Sequence, residues 1–218
     1  MNQPSLEMLA TRLAAHLDCI QDVACQQILR VMIETGQPLT PIHLATRLQM
    51  SEENLAAHLA RVPDTEFDPQ GNIVGWGITL VPTQHQFVLP HHSLFTWCAF
   101  DTILFPSLLQ VEAHVQSECS ASGQPITFVA TPKGIADLLP ATSVLSLVLP
   151  EARCDCVRGT FCQQSLFFQT KEAAMPWMAL HPEAVLLLVE EAAVLGQMTA
   201  SMWPYAPSTK QGNSIALL

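Results

Sequence analysis

Apolar residues recur every three or four positions at Leu6, Leu9, Leu13 and Leu17, and again at Val23, Ile28, Val31 and Met32. That spacing predicts two amphipathic helices, the second stopped by Gly36 and Pro38. Thr40 with Pro41 supplies an N-cap and first-turn signal for a third helix to about Leu48, and Ser51-Glu52-Glu53-Asn54 opens a fourth to about Val62. A hairpin pattern follows. Glu66-Phe67-Asp68 leads into a turn at Pro69-Gln70-Gly71-Asn72, then an extended run from Ile73 to Leu80, and a second turn before His85-Gln86-Phe87-Val88-Leu89. Helices followed by a hairpin outline a winged-helix-like unit over residues 1–90.

From Pro90 onward the pattern changes. A helix is expected from about Ser93 to Leu109, and strand-like runs occupy Val111 to Cys119, Pro125 to Thr131, Ser143 to Leu149 and Arg158 to Phe168. Ser120-Ala121-Ser122-Gly123-Gln124 reads as a hairpin turn, which makes at least part of the sheet antiparallel. Short helices are expected at Pro132 to Leu139 and Glu172 to Leu180, and a longer one at Glu183 to Ser201. The fold class expected is therefore α+β: an N-terminal winged-helix-like helical unit, then a mostly antiparallel sheet core flanked by helices over residues 91–203. Residues 204–218, with Pro207, Ser208, Gly212 and Asn213, read as a flexible tail.

With 218 residues and 49% apolar content the chain can bury a sizeable core. Its formal charge of -10, from 9 Lys+Arg against 19 Asp+Glu, argues against nucleic acid and anionic lipid as ligands. The fourth helix, where a winged helix would read DNA, leads with Glu52 and Glu53, which would set carboxylates against phosphates. Met1 to Glu7 hold no basic stretch followed by an apolar core, and Ala184 to Val189 stops at Glu190 and Glu191, so the expectation is a soluble cytoplasmic protein. The cysteines, at positions 19, 25, 98, 119, 154, 156 and 162, are odd in number and contain no CxxC pair, as expected of reduced thiols.

Cys98 and Asp101 stand three positions apart in Trp97-Cys98-Ala99-Phe100-Asp101-Thr102. On a helix they would share one face, joining a soft nucleophile to a proton carrier. Phe100, Ile103, Leu104 and Phe105 surround the carboxylate with apolar groups, and burial raises a carboxyl pKa toward the range of a general acid. Taken singly, Cys98 also fits a small core residue. Cys162 lies in a second apolar run, with the Cys154-Asp155-Cys156 pair just upstream. Several thiols converging near one carboxylate suit a soft metal, with His91-His92 available as a further ligand, although the spacing is not that of a standard zinc site.

Together these segments resemble a known family. Trp97 to Pro106, Ser146-Leu147-Val148-Leu149-Pro150 and Phe161-Cys162 with Phe167-Phe168 are similar to alkylmercury lyase, the organomercurial lyase of bacterial mercury resistance. So are Phe67-Asp68 with Gly71 to Leu80, and Cys119-Ser120-Ala121-Ser122-Gly123. The resemblance implies cleavage of carbon–mercury bonds by protonolysis, giving a hydrocarbon and Hg(II), with Cys98 and Cys162 as the paired catalytic thiols and Asp101 as proton shuttle. The same three residues would contact mercury. It also implies a structural role for Cys119, free cellular thiols as co-substrate and mercuric reductase as a candidate acceptor of Hg(II). One departure is Gln163, where family members often carry a second cysteine directly after the one matched by Cys162.

The chemistry is consistent with those groups. Soft thiolates bind soft mercury, a second thiolate weakens the carbon bond trans to it, and a carboxyl can take a thiol proton and hand it to the leaving carbon. Trp97, Phe100, Phe105 and Phe161 would exclude water, although each also fits plain core packing. No organic cofactor is expected, since the sequence has no phosphate-binding glycine loop, no Gly-Lys-Ser and no GxSxG elbow. Two other classes stay open at this level. One is a soft-metal-binding thiol protein and the other a winged-helix metal sensor, both without turnover.

Overall fold

Four capped helices open the fold: α1 (Leu6–His16), α2 (Val23–Thr35), α3 (Pro41–Leu48) and α4 (Glu52–Leu59). Ser5 Oγ accepts the Met8 N–H at 3.3 Å, Asp22 Oδ1 that of Ala24 at 2.8 Å, Thr40 Oγ1 that of His43 at 3.3 Å and Ser51 Oγ that of Asn54 at 3.2 Å. Each such cap contributes about 1 kcal/mol. Asp22 also pairs with His58 Nε2 at 2.9 Å, joining the start of α2 to α4. The computed structural model describes residues 4–62, 64–149 and 157–203.

Short strands follow: β1 (Glu66–Phe67), β2 (Ile73–Trp76), β3 (Ile78–Thr79), β4 (Gln86–Val88) and β5 (Ser93–Thr96). After α5 (Asp101–Leu109) come β6 (Ala113–Glu118), β7 (Pro125–Thr131), β8 (Gly134–Leu139) and β9 (Val144–Leu147). The chain continues through α6 (Val157–Thr160), β10 (Leu166–Phe168), α7 (Lys171–Leu180), β11 (Val185–Leu188) and α8 (Val189–Ser201). Among the described residues the strands form an antiparallel sheet in the order β1-β2-β3-β5-β4-β6-β7-β8, and a smaller one in the order β10-β9-β11. Because β4 pairs with both β5 and β6, strands from either side of residue 90 share one sheet.

α5 is buried along its whole length. It packs against β7, β8 and α8, and α8 packs in turn on α1. Gly196 of α8 makes the close approach possible, since a Cβ there would sit 3.0 Å from Ile103 Cγ2. The resulting α+β architecture is the one the pattern predicts, but several elements differ. The expected helix over Ser93–Leu109 is β5, a turn, and α5 starting only at Asp101. A largely apolar segment has no clear period to separate a buried strand from a buried helix, and pairing of β5 with β3 and β4 decided it. For the same reason the front of the expected helix at Glu183–Ser201 is β11, paired with the central strand β9.

Two further expectations are reversed. Pro132 to Leu139 is not a helix but contributes β8, whose pairing with β7 shifts register and whose Asp137 adopts φ 54°. Arg158 to Phe168 is not one strand: α6 and a 3-10 turn at Cys162–Gln164 precede β10. The turn expected at 120–124 does close the β6–β7 hairpin, with Gly123 at φ 69° and its N–H donating to the Cys119 carbonyl at 2.8 Å. No helix among the described residues is long and apolar enough to cross a membrane.

Candidate active site

Cys98 lies on the turn between β5 and α5, and that turn is held from several directions. The Trp97 N–H donates to the Gly77 carbonyl at 3.0 Å, and Thr96 Oγ1 donates to the Cys98 carbonyl at 3.1 Å. Gly77 has φ 70°, and a Cβ there would meet Phe105 Cζ at 2.6 Å, so glycine is required both for the backbone and for the aromatic packed on it. Thr102 Oγ1 donates to the Ala99 carbonyl at 2.7 Å and closes the entry into α5. Asp101 is the first residue of that helix. The thiol and carboxylate therefore meet across a turn and helix start, rather than along one helical face.

Cys162 reaches the same point from far along the chain. Phe161 is buried and packs edge-on against Phe100 with ring centroids 6.0 Å apart, delivering the 3-10 turn that carries Cys162 to the start of α5. One ligating atom from each of Cys98, Asp101 and Cys162 falls within 4.8 Å of the others. Among the described residues no other His, Cys, Asp or Glu joins this group, so His91 and His92 stand outside it. Cys154 and Cys156 lie outside the described residues.

All three groups are removed from water: Cys98 is 0% exposed, Asp101 7% and Cys162 4%. Burial pushes the Asp101 carboxyl up to about 7, against hydrogen bonds with the Cys98 thiol and backbone, the Cys162 thiol and the Trp97 backbone. Burial, with the nearby negative charge of Asp101, raises the Cys98 thiol as well. Cys162 is raised further, first by its hydrogen bond with Cys98, then by burial and by the charges of Cys98, Asp101 and Asp64. Its thiol faces Asp101 Oδ2 at a long 3.9 Å. The resting site thus keeps its thiol protons beside a carboxyl that can change state near neutrality.

Aromatic rings wall this cluster. Trp97, Phe100, Phe105 and Phe161 are all buried, and Trp97 meets Trp76 edge-on at 5.7 Å. The Arg158 guanidinium lies 5.5 Å from the Trp97 ring centroid and pairs with Glu66, while the Arg158 N–H donates to Asp64 Oδ2 at 3.0 Å. Asp64 and Glu66 thereby tie the N-terminal segment to α6, one turn before Cys162. Cys119 is separate: its sulfur accepts the Gln169 N–H at 3.4 Å.

The relatives of the chain show its family. The sequence pattern of the family described as MerB, alkylmercury lyase, matches residues 78–201, which include all three clustered side chains. The alkylmercury lyase of Streptomyces lividans is 39% identical over 166 residues, 76% of this chain and 77% of that protein. The chain belongs to the alkylmercury lyase family. A second member, from Pseudomonas putida, is 40% identical over 165 residues, covering 76% of this chain and 77% of its own. The crystal structure of the mercury-bound form of MerB2 superposes with a TM-score of 0.70 at 23% identity, over 90% of this chain and 97% of that one, which establishes a common fold. This lyase is therefore an organomercurial-cleaving enzyme.

Sequence reasoning missed two contributors to the site. Asp64 and Ser165 were not singled out, because each acts on residues far away in the chain. Ser165 is 0% exposed, and its hydroxyl oxygen accepts the Phe100 N–H at 2.9 Å. A lone serine within the apolar run Leu166 to Phe168 and Phe161 to Cys162 was the available signal, since a buried hydroxyl requires a partner.

Proposed function

We propose that the lyase cleaves carbon–mercury bonds by protonolysis at Cys98, Asp101 and Cys162, releasing a hydrocarbon and leaving Hg(II) on the two thiolates. The observation that carries this reading is the convergence of two buried thiols and one buried carboxyl within 4.8 Å. An organomercurial bound to a carrier thiol exchanges that thiol for Cys98, whose proton leaves with the carrier. The ionised Asp101 then takes the Cys162 proton, and the new thiolate adds to mercury. As the carbon–mercury bond breaks, Asp101 donates the proton to carbon and returns ionised, so its role is base and then acid. Two external thiols displace the product ion and return both cysteines to the protonated form.

The dry aromatic wall favours each step. It accepts an alkyl or aryl group and keeps water from competing for the metal or the carboxyl. Under this reading no organic cofactor takes part, cellular thiols are co-substrates, the setting is the cytoplasm, and mercuric reductase is the candidate recipient of Hg(II). The segment 1–90 is read as a winged-helix-like structural module for the catalytic part at 91–203, supported by its pairings Asp64 to Arg158 and Glu66 to Arg158 and by the acidic start of α4. The test is hydrocarbon release from an organomercurial in excess thiol by the wild type, Cys98→Ser and Cys162→Ser. Release by the wild type alone is expected. Full release by either variant removes the two-thiol mechanism.

A further inference from the structure

Ser165 lies in extended backbone between the turn that carries Cys162 and β10, wholly buried. It neither holds the metal nor moves the proton, yet several hydrogen bonds converge on it. Its N–H donates to the Cys162 carbonyl at 3.2 Å, and its own carbonyl accepts the Ala99 N–H at 3.3 Å. Its hydroxyl oxygen accepts the Phe100 N–H at 2.9 Å. A serine hydroxyl keeps a proton to donate while it accepts. The residues on either side are fixed in turn, because Ser146 Oγ lies within 3.3 Å of the Gln164 carbonyl and 3.4 Å of the Leu166 carbonyl.

One residue therefore touches both thiol-bearing segments. Ala99 and Phe100 are the last two residues before α5 begins at Asp101, and Phe100, the N-cap of that helix, has no capping side chain. Ser165 fills that role from 65 positions away in sequence. A side chain without an oxygen would leave the Phe100 N–H buried with no acceptor.

We propose that Ser165 is a positioning residue of the lyase, clamping the Cys98 turn to the Cys162 turn at the spacing where both sulfurs reach one mercury atom. The proposal rests on the two-thiol reading above. A second donor adds affinity only when it is already placed to bind, so a clamp between donors acts through effective concentration and not through a contact with the metal. Its effect must disappear when one donor is gone.

That condition gives the experiment. The Hg(II) affinity of the full chain is measured by competition with dithiothreitol for the wild type, Ser165→Ala, Cys162→Ser and the double variant. Ser165→Ala is expected to weaken Hg(II) binding about tenfold with Cys162 present and to change nothing in the Cys162→Ser background. Equal loss in both backgrounds, or no loss in either, overturns the proposal. If Cys162→Ser binds Hg(II) as tightly as the wild type, the two-thiol reading itself fails, a result independent of Ser165. Ser165→Thr keeps the hydroxyl and covers the case in which Ser165→Ala does not fold: wild-type affinity supports the clamp, and a folded chain with tenfold weaker binding overturns it.

Discussion

Cys98 with Cys162, and Cys119, all expose little surface to water, and yet their thiol acidities are shifted in opposite directions. At Cys119 the hydrogen bonds from Ser122, the Gln169 N–H and the backbone of Ala121 and Ser122 outweigh burial and hold the thiol below its ordinary pKa. At Cys98 burial, and at Cys162 the hydrogen bond with Cys98 followed by burial, raise the thiol, and both keep their protons. Under the two-thiol mechanism proposed above, acidity therefore does not mark the working thiol in this molecule. A reaction that must deliver a proton to carbon gains from thiols that still carry one, beside a carboxyl poised at about 7.

The largest effect that would break this contrast is on turnover. Cys98→Ser and Cys162→Ser are each expected to reduce hydrocarbon release to the enzyme-free background, whereas Cys119→Ser keeps it; activity that tracked Cys119 would assign the chemistry to the wrong sulfur. Next is Asp101→Asn, which retains size and an oxygen but moves no proton. Single-turnover cleavage should slow by roughly a hundred- to ten-thousand-fold while the organomercurial still binds.

Stability should respond at the same residue. Asp101 has its folded pKa raised from an ordinary 3.8 to about 7, so its contribution to stability is fully present below the first value and is lost as pH rises through the second. The ionised folded state is then disfavoured by roughly 4 kcal/mol at most. Asp101→Asn should accordingly be more stable than the wild type in urea at pH 8.5 and lose that advantage at pH 4. Equal unfolding midpoints at both values would mean that burial does not hold the carboxyl protonated.

The pH profile of cleavage sharpens the point further. Since the proposed mechanism requires an ionised Asp101 to take the Cys162 proton, the single-turnover rate should climb about tenfold per pH unit below about 7 and level off above it, and Asp101→Asn should flatten that limb. The smallest effect concerns Cys119→Ala. Removing the acceptor of the Gln169 N–H should lower stability by about 1 kcal/mol, read from thermal unfolding, with turnover unchanged.

Much of the site was legible because its first half is local. Cys98 and Asp101 are near neighbours in any conformation, their apolar company forecast the burial, and the resemblance named Cys162 as their partner. The geometry assigned to them was less secure. A helix over 93–109 and a strand over 158–168 both follow from local pattern alone, and both were replaced by strand pairing and turns. Ser165 was illegible for a stronger reason: its value lies in the unpaired N–H of Phe100, and that need exists only once α5 starts at Asp101.

The sequence by itself determined the Thr40 and Ser51 starts of α3 and α4, the acidic balance and the adjacency of one thiol to one carboxyl, because each depends on the residues at or within a few positions of it. Tertiary structure alone decided that Cys162 arrives 61 residues from Asp101 in sequence and 3.9 Å from it in space. It also decided that the carboxyl loses its water and that Ser165 joins the two turns. Those outcomes depend on which distant surfaces pack together, and burial, which is the main cause of the shifts at Asp101 and Cys98, is a property of the packed molecule and not of any segment.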